Sequence, residues 1–175
     1  AAESTEAAGA PDGDGDPTTL TVAMECAYAP YNWTQSDDSN GAVAIRGSSD
    51  YAYGYDVMMA KKIGEALGQK VQIVKLDWDS LIPAVMTGDV DCVIAGQSIT
   101  AERAAQVDFS NPYYYASIVT LTKKDSAYAN AASVADLAGA TATSQLGTIW
   151  YDTCLPQIEN ANILPAQESP PCWWP

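Results

Sequence analysis

The alternation of strand-like and helix-like patterns is the feature that most limits how this chain can fold. Strand, helix, strand, helix and strand patterns follow one another at residues 20–24, 54–67, 71–76, 80–88 and 91–95. This βαβαβ order predicts a parallel sheet with right-handed crossovers, and such sheets bind ligands at the carboxyl ends of their strands. On the first helix, the spacing predicts a buried face made of Met59, Ile63, Ala66 and Leu67.

A polar segment, residues 96–103, directly follows the last of these strands. A strand that leads into a helix leaves backbone N–H groups available to an anion. Ser98 and Thr100 add hydroxyl groups, and the guanidinium of Arg103 matches the geometry of a carboxylate. The segment therefore indicates an anion site. The alternative is a capped helix start with a surface arginine that pairs with nothing.

An aromatic loop at residues 26–33 leaves the first strand at the same predicted edge of the sheet. Glu25 ends that strand, and Tyr28 and Trp33 lie in the loop. Aromatic side chains in a loop either fill the core beneath it or line a ligand pocket. Because Glu25, Tyr28 and the segment 96–103 converge on one edge, the sequence favours a binding site there.

A second, smaller α/β pattern follows a β-rich run at 113–122, which is expected to cross from one lobe to another. A helix, a strand, a turn into a helix and a strand are predicted at residues 133–137, 140–144, 145–150 and 162–164. The turn at Gly147 and Thr148 again offers N–H groups and a hydroxyl at a helix start. Two such ends on opposing lobes predict a clamp, and a plain capped helix is the alternative.

The charge and the cysteines argue against several classes of function. A net charge of -14 without histidine argues against nucleic acid and anionic membrane surfaces as partners. No run approaches the roughly 20 apolar residues of a membrane span. The four cysteines lack C-x-x-C spacing, so we expect no zinc or redox site and no cofactor. They are Cys26, Cys92, Cys154 and Cys172, of which the last two are compatible with a disulfide.

The first residues, 1–18, are rich in Ala, Gly, Glu, Asp and Pro, and they are expected to form a flexible acidic tether. A processed, surface-anchored protein would begin this way, and so would a cloning remnant. With no signal peptide in it, the chain is expected to be either mature or intracellular.

Four motifs in chain order resemble the bacterial amino-acid-binding proteins of ABC transporters, solute-binding family 3. They are Gly-Tyr-Asp-Val at 54–57, Asp-Trp-Asp-Ser-Leu-Ile-Pro-Ala at 77–84, Ser-Ile-Thr-Ala-Glu-Arg at 98–103 and Val-Asp-Phe-Ser at 107–110. The resemblance runs from Leu20 to about Gln167. It departs from the family at Met58, where an acidic residue is usual. It implies an α/β fold of the periplasmic-binding-protein-like type II, with two α/β lobes and a hinge.

The resemblance also implies a function: extracytoplasmic binding of a free amino acid in an interlobe cleft, for uptake by the permease subunits of an ABC transporter. The protein would lie in the periplasm, or at the cell surface as a lipoprotein. No enzymatic activity is expected. Carried over by position, Arg103 would grip the ligand α-carboxylate, helped by the backbone N–H of Thr100 and the hydroxyl of Ser98. Ala95 and Gly96 would offer carbonyl groups to the α-ammonium.

The same resemblance assigns the remaining site residues. Glu25 would attract a cationic group of the ligand, Tyr28 would stack over it, and Trp33 is a weaker candidate for the pocket wall. From the second lobe, Thr148 would meet the carboxylate together with its neighbours, Leu146 and Gly147.

The resemblance divides the chain into a tether at 1–18, a first lobe at 19–115, a partial second lobe at 116–169 and an aberrant tail at 170–175. Family members continue past Ser169, so the second lobe is expected to be incomplete. We interpret the tail as the product of a frameshift, because one set of codons for Cys-Trp-Trp-Pro, read in another frame, encodes Met-Leu-Val-Ala-Leu. A natural Trp-rich tail is the alternative. Exposed strand edges are then expected to cause self-association or segment exchange, with weakened binding.

Two other functions stay open on the same fold. Some dehydratases resemble these binding proteins, and Glu25 is the residue that could serve as their acid or base. A receptor sensing domain is the other. The ligand is also open: Glu25 favours a polar or cationic amino acid, whereas the aromatic loop suits methionine or an aromatic side chain.

Overall fold

The computed structural model describes residues 17–169, which fall into two compact units that divide between Asp108 and Phe109. The strands are β1 (Thr19–Met24), β2 (Ala27–Tyr28), β3 (Asn32–Gln35), β4 (Val43–Ala44), β5 (Tyr51–Tyr53), β6 (Lys70–Lys75), β7 (Cys92–Val93), β8 (Thr141–Gln145) and β9 (Asn162–Ala166). The α-helices are α1 (Tyr55–Leu67), α2 (Leu81–Thr87) and α3 (Ala101–Ala104). Short 3₁₀ helices lie at Ser39–Gly41, Trp78–Ser80, Val134–Leu137 and Leu155–Gln157, and a π-helix lies at Trp150–Cys154. The predicted tail and most of the predicted tether lie outside the described residues.

The first unit is built on a parallel sheet in the order β6-β1-β7. Val22 pairs in parallel with Ile73 on one side and with Cys92 on the other. Every residue of β1 is buried, which fits its central place between two strands and beneath helices. The predicted βαβαβ order is confirmed, although β7 is shorter than the run predicted at 91–95.

Helix α1 begins after Gly54 and ends at Gly68, which adopts a left-handed conformation at φ 71°. These limits confirm the predicted helix. Of the predicted buried face, Met59 packs half-buried against the core, but Ile63, Ala66 and Leu67 are exposed, so most of that prediction is wrong. The apolar residues of α1 buried against the sheet are Val57, Ala60 and Gly64, whereas Leu67 is 61% exposed. The cause is the close approach of helix and sheet: a Cβ on Gly64 would lie 2.6 Å from Cγ2 of Val71. Small side chains therefore face the sheet.

A four-stranded antiparallel sheet in the order β2-β3-β5-β4 accompanies the parallel one. The sequence analysis interpreted residues 26–33 as an aromatic loop and did not predict this sheet. Trp33 pairs with Tyr53, and Ala44 pairs with Tyr51. Ile45, just beyond β4, forms an isolated parallel bridge to Ile73, which links this sheet to β6.

The second unit contains a parallel pair of strands, β8 and β9, which confirms two predicted strands. The 3₁₀ helix Val134–Leu137 stands where a short helix was predicted. A small core joins these elements through Leu137, Ala140 and Ile158.

Residues 113–122 contain no strand, so the expected β-rich crossing is wrong. A strand needs a neighbour to pair with, and within residues 17–169 no strand forms a ladder with this run. Among the described residues, no helix combines the length and the apolarity required to cross a bilayer.

Candidate functional site

Glu25 follows the last residue of β1 at the carboxyl edge of the parallel sheet, and it is only 5% exposed. The next residue, Cys26, has a left-handed backbone at φ 56°, so the chain turns sharply here. Burial of the Cys26 thiol raises its pKa to about 12; Lys75 acts in the opposite direction, and the Glu25 charge adds to the rise. A carboxylate this well buried is suited to recognising a cation.

Two buried side chains hold the Cys26 turn in place. The Oδ1 atom of Asn32 accepts a 2.8 Å hydrogen bond from the Cys26 backbone N–H. Asn32 in turn donates through Nδ2 to Oδ2 of Asp56, also at 2.8 Å. Asp56 lies in the first turn of α1, within the Gly-Tyr-Asp-Val motif. This motif therefore supports the turn beside Glu25, a role that the sequence reasoning did not identify.

The aromatic loop and the polar segment meet at Tyr28 and Gly96. Gly96 has a positive φ of 62°, and a Cβ built on it would lie 3.6 Å from Cε1 of Tyr28. The Tyr28 ring also stacks on Tyr31, with centroids 4.9 Å apart and an interplanar angle of 25°. The structure thus brings together two of the predicted site regions. Trp33 packs edge-to-face on Tyr53 at 5.2 Å, within the antiparallel sheet.

The segment 96–103 leads into α3, which has only four residues. Thr100 is its N-cap, and its hydroxyl oxygen accepts a 3.2 Å hydrogen bond from the Arg103 backbone N–H. The Arg103 side chain folds back so that Nη1 donates to the Ser98 carbonyl oxygen at 2.8 Å. Ala95, just before this segment, is 3% exposed. Ser98, Thr100 and Arg103 are therefore one hydrogen-bonded group.

Trp78 is the neighbour of Arg103 that the sequence reasoning missed. The Cζ atom of Arg103 lies over the Trp78 ring, 5.5 Å from its centroid. The sequence analysis placed Trp78 within the motif at 77–84 and assigned it no role in the site. It stands 25 positions before Arg103, so no local spacing could show that the two side chains touch.

In the second unit, the turn at Leu146 and Gly147 connects β8 to Thr148, which is 2% exposed. The Thr148 hydroxyl donates to the Gln145 carbonyl oxygen at 2.6 Å and accepts from the Tyr151 backbone N–H at 3.3 Å. Leu146 donates its backbone N–H to Ala166 of β9. The predicted helix through Trp150 is a π-helix rather than an α-helix.

Among residues 17–169, no disulfide joins any two of the three cysteines Cys26, Cys92 and Cys154. Burial, aided by the Asp91 charge, raises the pKa of Cys92 to about 11. The pairing of Cys154 with Cys172 lies outside the described residues. Within residues 17–169, no group of three or more His, Cys, Asp or Glu side chains could hold a metal ion.

The match to a family model extends over residues 20–162, and the model is that of the bacterial extracellular solute-binding proteins, family 3. The arginine-binding extracellular protein ArtP of Bacillus subtilis is 40% identical over 130 residues, which are 74% of this chain and 45% of ArtP. The chain thus spans about half the length of that curated relative.

Two solved structures are similar in fold as well as sequence. The ancestral amino-acid-binding protein AncCDT-1, described as a precursor of cyclohexadienyl dehydratase, gives a TM-score of 0.71 at 34% identity, over 86% of this chain and 62% of its own. The arginine-bound form of a truncated ArgBP from T. maritima gives a TM-score of 0.70 at 30% identity, over 86% of this chain and 65% of its own. The fold is therefore that of type II periplasmic binding proteins, of which this chain covers part. The chain belongs to the bacterial extracellular solute-binding proteins, family 3.

Proposed function

We propose that this chain binds a free amino acid outside the cytoplasm and serves uptake by an ABC transporter. The observation that carries the proposal is the group formed by Ser98, Thr100 and Arg103 at the carboxyl edge of the parallel sheet. Arginine presents N–H donors in a planar fork, and such a fork binds a carboxylate through two parallel hydrogen bonds. The family membership supports the same conclusion.

In this proposal, the α-carboxylate binds to Arg103, with the backbone N–H of Thr100 and the hydroxyl of Ser98 as further donors. The α-ammonium binds to the carbonyl groups of Ala95 and Gly96. Because a zwitterion leaves water only if both of its ends find partners, donors and acceptors must lie close together. The segment 95–103 supplies both kinds of group along one stretch of chain.

The side chain of the ligand would extend past Tyr28 towards Glu25, with Trp33 as a more distant part of the wall. A buried carboxylate gains most by pairing with a cation, so we propose a cationic amino acid as the ligand. The names of ArtP and of ArgBP, both arginine-binding, support this choice over methionine or an aromatic amino acid. L-arginine is therefore the first ligand to test.

For the second unit, the family resemblance assigns Leu146, Gly147 and Thr148 to the ligand carboxylate. The Thr148 hydroxyl is engaged within its own turn, with Gln145 and Tyr151. Because the Leu146 backbone N–H already donates to Ala166, we propose the backbone N–H of Thr148 as the donor for this role.

Isothermal titration calorimetry with L-arginine, L-histidine, L-cystine and L-glutamate tests the proposal. We expect L-arginine to bind best. Arg103→Ala should abolish binding of every amino acid, whereas Glu25→Gln should weaken L-arginine more than L-glutamate. Arg46→Ala is the matched control, since Arg46 is an exposed arginine of the same unit. Binding that survives Arg103→Ala would overturn the assignment of the carboxylate site.

We further propose that the chain binds its ligand without catalysing a reaction. It would act with the permease subunits of an ABC transporter, in the periplasm or as a lipoprotein at the cell surface. The similarity to a dehydratase precursor makes one enzymatic test necessary. Incubation with prephenate and with arogenate should give no aromatic product, and a product that disappears in Glu25→Gln would establish a dehydratase instead.

Self-association is a separate proposal, supported by the two-stranded sheet of the second unit and by Leu164 of β9, which is 47% exposed. Multi-angle light scattering should show a mass that rises with concentration, and a constant monomer mass would contradict it.

A further inference from the structure

The guanidinium of Arg103 has contacts on two sides in this structure. At one end, Nη1 donates to the Ser98 carbonyl oxygen at 2.8 Å. In addition, Cζ lies over the Trp78 ring, 5.5 Å from its centroid. The side chain is half-buried, and its own helix, α3, has only four residues. So short a helix is a weak support for a side chain that must hold a fixed direction.

Trp78 rests on a firmer part of the fold. It belongs to the 3₁₀ helix Trp78–Ser80, which continues directly into α2, and its ring packs against the core of the first unit. The Ser80 backbone N–H donates to the Asp77 carbonyl oxygen and closes this turn, and the next side chain, Leu81, is fully buried. The indole therefore offers Arg103 a surface that the core holds in place.

The geometry of the contact suits carboxylate binding. A cation over an aromatic face is attracted by the ring quadrupole, and tryptophan is the best of the aromatic side chains for this purpose. The attraction acts on the charge of the guanidinium as a whole, whereas its N–H donors lie in the guanidinium plane. A carboxylate binds in that same plane. An unsupported arginine would lose much of its rotamer freedom on binding, and this loss would weaken the complex.

We propose that Trp78 is a positioning residue for the ligand carboxylate: it holds the guanidinium of Arg103 in its binding orientation before the ligand arrives. This inference rests on the proposed function of Arg103. Trp78 acts through Arg103, so its effect is restricted to ligands that carry a carboxylate.

The first test compares L-arginine with agmatine, which has the same side chain without the carboxylate. Calorimetry on Trp78→Leu should show L-arginine binding weakened about tenfold, from the usual strength of a partly desolvated cation–π contact. Agmatine binding should stay within about twofold of the unchanged protein, and a ligand too weak for direct titration is measured by its competition with L-arginine. Trp78→Phe keeps an aromatic face and should lose less than Trp78→Leu. Equal losses for both ligands, or no loss for L-arginine, would overturn the proposal.

The second test needs no ligand. In nuclear magnetic resonance relaxation measurements, the Nε–Hε order parameter of Arg103 should fall in Trp78→Leu, while that of the exposed Arg46 stays unchanged. An unchanged order parameter at Arg103 would overturn the positioning role even if binding is weakened. If the unchanged protein binds no amino acid, the proposed function fails, and the relaxation result still decides whether Trp78 orders Arg103.

Discussion

The side-chain amide of Asn32 donates a 2.8 Å hydrogen bond to the carboxylate of Asp56, and both side chains are completely buried. Through Oδ1, Asn32 also accepts from the Cys26 backbone N–H. One amide thus ties the start of α1 to the turn that follows β1. The proposed binding edge of the first unit depends on this link, because Glu25 stands immediately before that turn.

Replacing Asn32 with Ala should lower the free energy of unfolding by about 2–4 kcal/mol, because a buried carboxylate loses a donor and a buried N–H loses its acceptor. Urea unfolding followed by circular dichroism measures the change. Asn111→Ala, at an exposed asparagine, is the control and should change stability by less than about 0.5 kcal/mol. Equal effects of the two substitutions would show that the buried network contributes little.

Gly64→Ala should destabilise the protein although alanine favours helices by about 1 kcal/mol over glycine. The new Cβ would lie 2.6 Å from Cγ2 of Val71 and 3.0 Å from the Gln69 carbonyl oxygen, so helix and strand must separate. We expect a net loss of about 1–3 kcal/mol in thermal or urea unfolding. Adding Val71→Ala removes one of the two clashes, so the double variant should lose less than the sum of the single losses. A stabilised Gly64→Ala would mean that the helix moves away freely.

We predict that the raised pKa of the Cys26 thiol makes the free energy of unfolding fall at alkaline pH. Burial raises the pKa of this thiol in the folded protein to about 12; Lys75 acts to lower it, and the Glu25 charge acts to raise it. In the unfolded chain, the pKa of the thiol is near 9.0. The unfolded chain therefore releases a proton that the folded protein keeps, and the free energy of unfolding falls as the pH rises from 9 towards 12. Comparing urea midpoints with Cys26→Ala, which keeps a Cβ at the same backbone position, isolates this contribution. The stability difference between the two proteins should change steadily above pH 9, and a constant difference would contradict the prediction.

For Asp136, in the second unit, we predict the opposite pH dependence: its contribution to stability is lost at acidic pH. Its Oδ2 accepts hydrogen bonds from the Ser133 hydroxyl and from the backbone N–H groups of Ala132 and Ser133, which lowers the pKa of this exposed carboxyl. Its contribution is fully present above the pKa of the unfolded chain, 3.8, and is lost as the pH falls through the lower folded value. Relative to Asp136→Asn, the unchanged protein should lose its advantage in melting temperature below about pH 4. A difference in melting temperature that persists at pH 2 would exclude the hydrogen bonds to the ionised Asp136 as its source.

The alternation of patterns predicted the parallel sheet of the first unit and the limits of α1, because each element carries its own periodicity and stop signal. It did not predict which face of α1 is buried. Large side chains such as Ile63 and Leu67 suggested one face, but the closest approach to the sheet selects the small side chains Ala60 and Gly64. Packing distance decided between two adjacent faces, and one helix in isolation holds no information about that distance.

The antiparallel sheet escaped prediction for a different reason. Its strands have two to four residues, and β4 has only Val43 and Ala44, too few to show an alternating pattern. Such strands form because partners distant in sequence align them. The contact between Trp78 and Arg103 belongs to the same class of features, since neither residue signals the other locally. In contrast, the meeting of Tyr28 with Gly96 followed from the rule that parallel strands end at one edge.

The central place of β1 has a consequence for the order in which this chain can fold. Its first neighbour, β6, begins about 50 residues later, and Thr21 bonds to Asp91, 70 positions further along the chain. During synthesis, the six buried residues of β1 must wait for both partners before they can leave water. Contacts of this length slow folding, because the chain loses loop entropy before it gains pairing. The central strand β1 therefore lacks one of its two partners until residue 93 has been synthesised, so the parallel sheet of the first unit is completed late in the folding of this unit.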